Sequence, residues 1–68
     1  MKDYKDKQFE LIDLAMRTKL VKMGRTQTDL ARAMNVSPQL LNKYCRGRVV
    51  SMTAKRLEEA INEGIGKL

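Results

Sequence analysis

The sequence TQTDLARAMNVSPQLLNKYCRGR, residues 26–48 of a 68-residue chain, decides the fold because it predicts two short helices separated by a tight turn. Thr26 is a suitable N-cap for the first helix. Asp29, three residues later, suits both a capping box and the positive end of the helix dipole. Asn35 tolerates the left-handed backbone conformation in which many helices end. These signals predict a first helix over residues 27–34.

The second helix has its own start and stop signals. Ser37 is a good N-cap, and Pro38 occupies the first helical position, where the missing backbone N–H is not needed. Gly47 is suited to end the helix, so we predict that it covers residues 38–46. Val36, alone between the two helices, is expected to pack into the core.

The second helix has two faces of different chemistry. One face is apolar, is expected to pack inward, and contains Leu41, Tyr44 and Cys45. The other face is polar and contains Gln39, Asn42, Lys43 and Arg46. Gln and Asn pair with adenine through two hydrogen bonds, whereas Lys and Arg reach guanine acceptors or phosphates. Because Asp29 is the only acidic residue between positions 26 and 48, the polar face favours a nucleic-acid partner.

The motif resembles the Cro and phage-repressor helix-turn-helix family, the XRE-type proteins with lambda-repressor-like DNA-binding domains. The resemblance runs over residues 19–61. The matching residues are Thr26, Gln27, Leu30, Ala31, Val36, Ser37, Pro38, Gln39, Leu41, Gly47, Arg48, Ser51, Thr53, Ala54, Lys55, Arg56, Leu57, Ala60 and Ile61. The resemblance implies an all-α, compact four- to five-helix domain with a central helix-turn-helix, which binds double-stranded DNA sequence-specifically.

By the same resemblance, the second motif helix is the recognition helix, which enters the major groove of DNA. The residues expected to read base edges are Pro38, Gln39, Leu40, Asn42 and Lys43. The residues expected to contact phosphates are Gln27, Thr28, Ser37, Arg46 and Arg48. Asn42 suits either a base or a phosphate, and Gln27 would also brace the recognition helix.

The chain departs from the family pattern at one pair of positions. Many family members have an Arg in the first helix that meets a Glu near the end of the recognition helix, and the matching residues here are Leu20 and Cys45. Losing one partner of a buried ion pair is costly, whereas replacing both with packed apolar groups is often neutral or stabilising. The fold is therefore expected to tolerate the exchange.

A long helix is predicted before the motif, over residues 5–23, with Gly24 at its end. Its core stripe repeats at steps of three and four residues and consists of Phe9, Ile12, Met16, Leu20 and Met23. Leu11 and Leu14 lie off the centre of this stripe. They either widen the stripe or form an exposed patch for a partner.

A last helix is predicted over residues 52–63, with Ser51 as its N-cap and with Gly64 and Gly66 at its end. Its inward face consists of Ala54, Leu57, Ala60 and Ile61. No linker or repeat divides the chain, so we expect one domain over residues 1–68 with a modest core.

The net charge of +6 is concentrated on the motif. Residues 25–50 contain five basic residues and one acidic residue. Residues 1–24 contain six basic and four acidic residues, and residues 51–68 contain three of each. This distribution is expected of a surface that meets phosphates.

The composition argues against catalysis and against a place in the membrane. The chain has no His and one Cys, Cys45, which lies on an apolar helix face, and its carboxylates are scattered over helix surfaces. We therefore expect no enzyme activity, no cofactor and no metal site. No stretch approaches the roughly 20 apolar residues that span a bilayer, and no signal peptide is recognisable. A cytoplasmic location is expected.

Three functional hypotheses follow. The leading one is a sequence-specific transcription regulator, a small phage or mobile-element repressor or Cro-like protein, which binds DNA as a homodimer. The second is an antirepressor or adaptor that binds another regulator protein through the apolar surface of its first helix. The third, a basic RNA-binding or nucleoid-type protein, ranks last because only Tyr4 and Tyr44 are available to stack on bases.

Overall fold

In a computed structural model that describes residues 4–68, the chain folds into four α-helices, with no β-strand in that range. They are α1 (Lys7–Met23), α2 (Gln27–Ala33), α3 (Pro38–Arg46) and α4 (Ala54–Gly66). α1 packs against α3 and α4, and α2 packs against the same two helices. The predicted all-α fold of four to five helices is confirmed, with four helices in the described range. Residues 1–3, which the predicted domain includes, lie outside the described residues.

The two motif helices begin as predicted. The Thr26 side chain accepts a hydrogen bond from the backbone N–H of Asp29 at 3.2 Å, and the Asp29 carboxylate accepts one from the Thr26 backbone N–H at 3.0 Å. This pair is a complete capping box. Ser37 caps α3 by accepting from the Leu40 backbone N–H at 3.1 Å, and Pro38 occupies the first helical position.

The outer helices begin two residues later than predicted, because other side chains act as their caps. The Asp6 carboxylate accepts from the backbone N–H of Gln8 at 2.9 Å, so α1 starts at Lys7 and not at residue 5. The Thr53 hydroxyl accepts from the backbone N–H of Arg56 at 3.3 Å, so Thr53 caps α4. The prediction that Ser51 is this cap was wrong.

Three helix ends have the left-handed backbone that the sequence predicts. The φ angles of Gly24, Asn35 and Gly47 are 68°, 62° and 76°. Around Asn35, the Val36 N–H donates to the carbonyl of Ala31 at 2.9 Å, and the Asn35 N–H donates to that of Arg32 at 3.0 Å. This is the hydrogen-bond pattern of a Schellman motif, and it ends α2 at Ala33, one residue earlier than predicted.

Gly64 has a different role from the one predicted. It is buried within α4, which continues to Gly66, so Gly64 does not end the helix. A Cβ atom at Gly64 would lie 2.7 Å from Met34 Cγ and 2.9 Å from Leu30 Cδ1. Gly64 therefore lets α4 approach the end of α2 closely.

One buried cluster joins all four helices. It consists of Phe9, Met16, Leu20, Leu30, Ala31, Leu41, Cys45, Leu57 and Ile61. Val36, in the turn of the motif, packs against this cluster as predicted. Met23, predicted to belong to the core stripe of α1, is 41% exposed. The buried stripe of α1 therefore ends at Leu20, which is 2% exposed and lies three residues before Met23.

Candidate nucleic-acid interface

Helix α3, the predicted recognition helix, has the two faces that the sequence predicts. Leu41 is fully buried and Cys45 is 2% exposed, and Tyr44 is half-buried against the same core. On the opposite side, Gln39, Asn42 and Lys43 are exposed to solvent. Because residues three and four positions apart are neighbours on a helix surface, Gln39, Asn42, Lys43 and Arg46 form one continuous polar strip.

The five residues predicted to read bases all belong to the first two turns of α3. Pro38 and Gln39 are exposed at its first positions, followed by Asn42 and Lys43 one turn later. Leu40 is half-buried, so only part of its side chain is available at the surface. The surface of the first two turns thus has two apolar side chains, Pro38 and Leu40, beside the hydrogen-bonding side chains of Gln39, Asn42 and Lys43.

The residues predicted to contact phosphates lie in the first turn of α2, within α3 and next to both ends of α3. Gln27 is half-buried and Thr28 is exposed, both in the first turn of α2. The Ser37 hydroxyl oxygen accepts the capping hydrogen bond, which leaves its O–H as a donor. Arg48 is exposed just beyond the end of α3, and its backbone N–H donates to the carbonyl of Lys43 at 3.1 Å. The strip on α3 is therefore bordered at both ends by groups that can donate to an anion.

Arg46 is held by two neighbours. Its guanidinium carbon lies 4.6 Å from the centre of the Tyr4 ring, a cation–π distance. Its Nε donates to Asn42 Oδ1 at 3.4 Å. Asn42 and Arg46, both in the polar strip, are thus joined by a hydrogen bond. Arg46 also contacts the N-terminal segment through the Tyr4 ring.

Asp13 and Tyr4 are members of the site that the sequence analysis missed. Asp13 is 1% exposed, and its carboxylate accepts hydrogen bonds from the Tyr4 O–H and, at 3.2 Å, from Arg17 Nε. The hydrogen bond to this carboxylate raises the pKa of the Tyr4 phenol. The sequence spacing indicated that Asp13 faces the core, because Phe9, Asp13 and Met16 follow one another at steps of four and three residues on the buried face.

The paired departure from the family pattern is accommodated as expected. Leu20 and Cys45 are both 2% exposed and belong to the apolar cluster. Burial raises the pKa of the Cys45 thiol to about 12, and the nearby charge of Asp13 adds to the shift. Cys45 is therefore a neutral packing residue. The buried charge in this region belongs to Asp13 on α1.

The acidic and cysteine side chains of residues 4–68 do not gather in a group of three or more that could hold a metal ion. Within the same range, no helix is both long and apolar enough to cross a membrane.

A family profile matches most of the chain. The helix-turn-helix profile covers residues 16–68, which include α2, α3, α4 and the second half of α1. This range contains residues 19–61, over which the sequence showed the resemblance, and every residue to which a base or phosphate contact was assigned. No curated protein and no solved structure matches the chain.

Proposed function

Because this chain belongs to the XRE-type helix-turn-helix family of DNA-binding transcription regulators, we propose that it reads a specific duplex sequence and represses transcription there. The proposal includes an origin in a phage or mobile element and a Cro-like role. The observation that supports it best is the division of α3. Gln39, Asn42 and Lys43 are exposed on one side, while Leu41 and Cys45 are buried on the other.

In the proposed complex, the first turns of α3 enter the major groove. The Gln39 amide has a donor and an acceptor that match N6 and N7 of adenine, and Lys43 reaches guanine acceptors one turn further along. Asn42 offers a second amide to a base or a phosphate. Pro38 and Leu40 provide apolar contacts of the kind that suit a thymine methyl group.

The phosphate contacts hold α3 in register. We assign them to Gln27, Thr28 and Ser37, and to Arg46 and Arg48 at and just beyond the end of α3. Contacts of this kind add affinity and orientation but carry no sequence information, so they serve any duplex equally. Specificity then depends on α3 alone.

We further propose that the protein binds as a homodimer. One recognition helix contacts only a few base pairs, whereas two copies would reach half-sites about 34 Å apart, one helical turn of DNA. Occupying an operator that overlaps a promoter excludes other proteins from the same groove. Repression therefore requires no property of this chain beyond binding.

The decisive experiment is selection of bound duplexes from a random DNA pool at low and at moderate salt. Nonspecific phosphate binding fades steeply as salt rises, so moderate salt isolates the contribution of base reading. We expect a palindromic motif to be enriched at moderate salt, with a half-site spacing that gives the geometry of the dimer. Binding that disappears with salt and enriches no motif would overturn the proposal.

DNA binding that disappears with salt and enriches no motif would favour a second function, an adaptor that binds another regulator protein through α1. The supporting observation is an apolar surface on α1 that faces solvent: Leu11, Leu14 and Val21 are 56%, 52% and 78% exposed. Thr18, between them, donates its hydroxyl to the carbonyl of Leu14 at 2.9 Å, so its polar group is satisfied within the helix. An adaptor of this kind would bind DNA weakly and without sequence preference.

A further inference from the structure

We propose that Tyr4 is a positioning residue that holds Arg46 ready to contact a DNA phosphate, and that buried Asp13 fixes Tyr4 in place. The inference rests on the proposed DNA contact of Arg46 and adds two residues to it. Tyr4 and Asp13 are distant in sequence from α3, but the fold brings both to its C-terminal end.

The first step is the attachment of Tyr4 to α1. A buried carboxylate needs hydrogen-bond donors, because an unsatisfied buried charge is costly. Asp13 obtains them from the Tyr4 O–H and from Arg17 Nε. Releasing Tyr4 would remove one of these donors from a group that is 1% exposed, so the phenol is held where it lies.

The second step is the contact between Tyr4 and Arg46. The guanidinium carbon of Arg46 lies over the Tyr4 ring, 4.6 Å from the ring centre, which is a cation–π distance. This attraction between the cation and the ring restricts the Arg46 side chain. The 3.4 Å hydrogen bond from Arg46 Nε to Asn42 Oδ1 restricts it further, toward the polar strip of α3.

The third step is the backbone connection that keeps the N-terminal segment against α3. The Lys5 N–H donates to the carbonyl of Arg46 at 2.8 Å, which satisfies one of the carbonyl groups that the end of a helix leaves without a partner. Gly47 allows this approach, because a Cβ atom there would lie 2.5 Å from Lys5 Cβ and 3.1 Å from the Phe9 ring. The ring of Tyr4 is thus held beside Arg46 by the main chain as well as by Asp13.

The consequence is a lower entropic cost of binding. An unrestrained arginine loses rotamer freedom when it contacts a phosphate, and this loss weakens binding by about two- to tenfold per side chain. Arg46 has already lost much of that freedom in the free protein. Without the Tyr4 ring, Arg46 should lose its rotamer freedom only when DNA binds, so binding should become weaker.

The test is a double-substitution cycle on binding to a short duplex of arbitrary sequence at low salt, where phosphate contacts dominate. The variants are Tyr4→Leu, Arg46→Gln and the two combined, with thermal unfolding recorded for each. We expect Tyr4→Leu to weaken binding about two- to tenfold in the presence of Arg46 and to change nothing in the Arg46→Gln background.

Tyr4→Phe is the conservative control, because it keeps the ring and removes only the O–H. We expect it to lower thermal stability, since Asp13 loses a donor, while it retains most of the binding that Tyr4→Leu loses. A purely structural role would instead make both variants follow stability alone.

Equal losses from Tyr4→Leu in both backgrounds would overturn the positioning role and leave the proposed function intact. Arg46→Gln without effect on affinity would overturn both the phosphate contact of Arg46 and its positioning. Failure of the random-pool selection to enrich a motif would count against sequence reading only, since the cycle uses an arbitrary duplex.

Discussion

Gln39 and Arg48 are both exposed, but they offer DNA different chemistry. The Gln39 amide has a donor and an acceptor side by side, which suits a base edge. Arg48 has a full charge just beyond the end of α3, which suits a phosphate. At the scale of single residues, the proposed function therefore predicts that substitutions at these positions have distinguishable effects.

Gln39→Ala should reduce discrimination at one base-pair position by about 1 to 3 kcal/mol, because a paired contact to one base is lost. The measurement is the affinity for the selected operator and for every single-base variant of it. The other positions should keep their preferences. An equal loss on all sequences would contradict base reading by Gln39.

Arg48→Ala should weaken binding to all sequences alike and reduce the slope of log affinity against log salt by about one. The matched control is Lys55→Ala, which removes the same charge from the groove between α1 and α4, beside Leu11 and Ile12. We expect its slope to remain that of the wild type. If Arg48→Ala left the slope unchanged, its phosphate role would be wrong.

Cys45 should resist alkylation in the folded protein at pH 8 and react once the protein is unfolded, because its buried thiol has a pKa of about 12. The same shift predicts a pH effect. Above about pH 9 an unfolded thiol loses its proton while the folded one keeps it, so stability falls between about pH 9 and 12. Chemical denaturation across this pH range should show that the free energy of unfolding declines less steeply with pH in Cys45→Ala than in the wild type. Rapid labelling of the native protein would contradict the burial argument.

At the scale of helices, the caps of the two motif helices were predictable from the sequence, and the close contacts between helices were not. Thr26, Ser37 and Asn35 were assigned correctly because a cap or a left-handed end depends on atoms within about one turn. Ser51 was the wrong cap for α4, because Thr53, two residues later, is also a good cap residue and its hydroxyl accepts from the Arg56 N–H. Gly64 was misassigned because its role depends on α2, about 30 positions earlier in the chain.

Gly64→Ala should lower stability although alanine favours helix by about 1 kcal/mol over glycine. The added methyl group would lie under 3 Å from the side chains of Leu30 and Met34, so these packed side chains, or the helices that carry them, would have to shift. Gly66→Ala is the matched control in the same helix, because no atom lies within 4 Å of its Cβ position. Unfolding in urea should show Gly66→Ala at least as stable as the wild type. A Gly64→Ala protein that gained stability would show that the close approach of the helices is not needed.

At the scale of the whole molecule, a small domain depends on few buried residues. One core cluster of nine residues joins all four helices, and a single core in a chain of this length rarely supplies more than about 3 to 5 kcal/mol. Asp13 is the one charged member of the buried set in residues 4–68, and it is tolerated because Tyr4 and Arg17 donate to it. A charge introduced elsewhere in the core would have no such donors.

Leu41→Asp should unfold the domain, because it places an unpaired carboxylate at a position with no solvent exposure. Leu14→Asp makes the same change at a residue that is 52% exposed on α1, and it should remain folded. Far-UV circular dichroism with thermal melting separates the two outcomes. A cooperatively folded Leu41→Asp protein would refute the orientation of α3.

The sequence by itself determined the local features of this protein: the bounds of α3, the caps of the motif helices, the left-handed turn at Asn35 and the two faces of the recognition helix. Each depends on residues within a turn or two, where the backbone sets the distances. Only the tertiary structure decided the burial of Asp13, the close approach at Gly64 and the contact of Tyr4 with Arg46. These depend on which helix lies opposite, and spacing along the chain does not specify distances between side chains that are far apart in sequence.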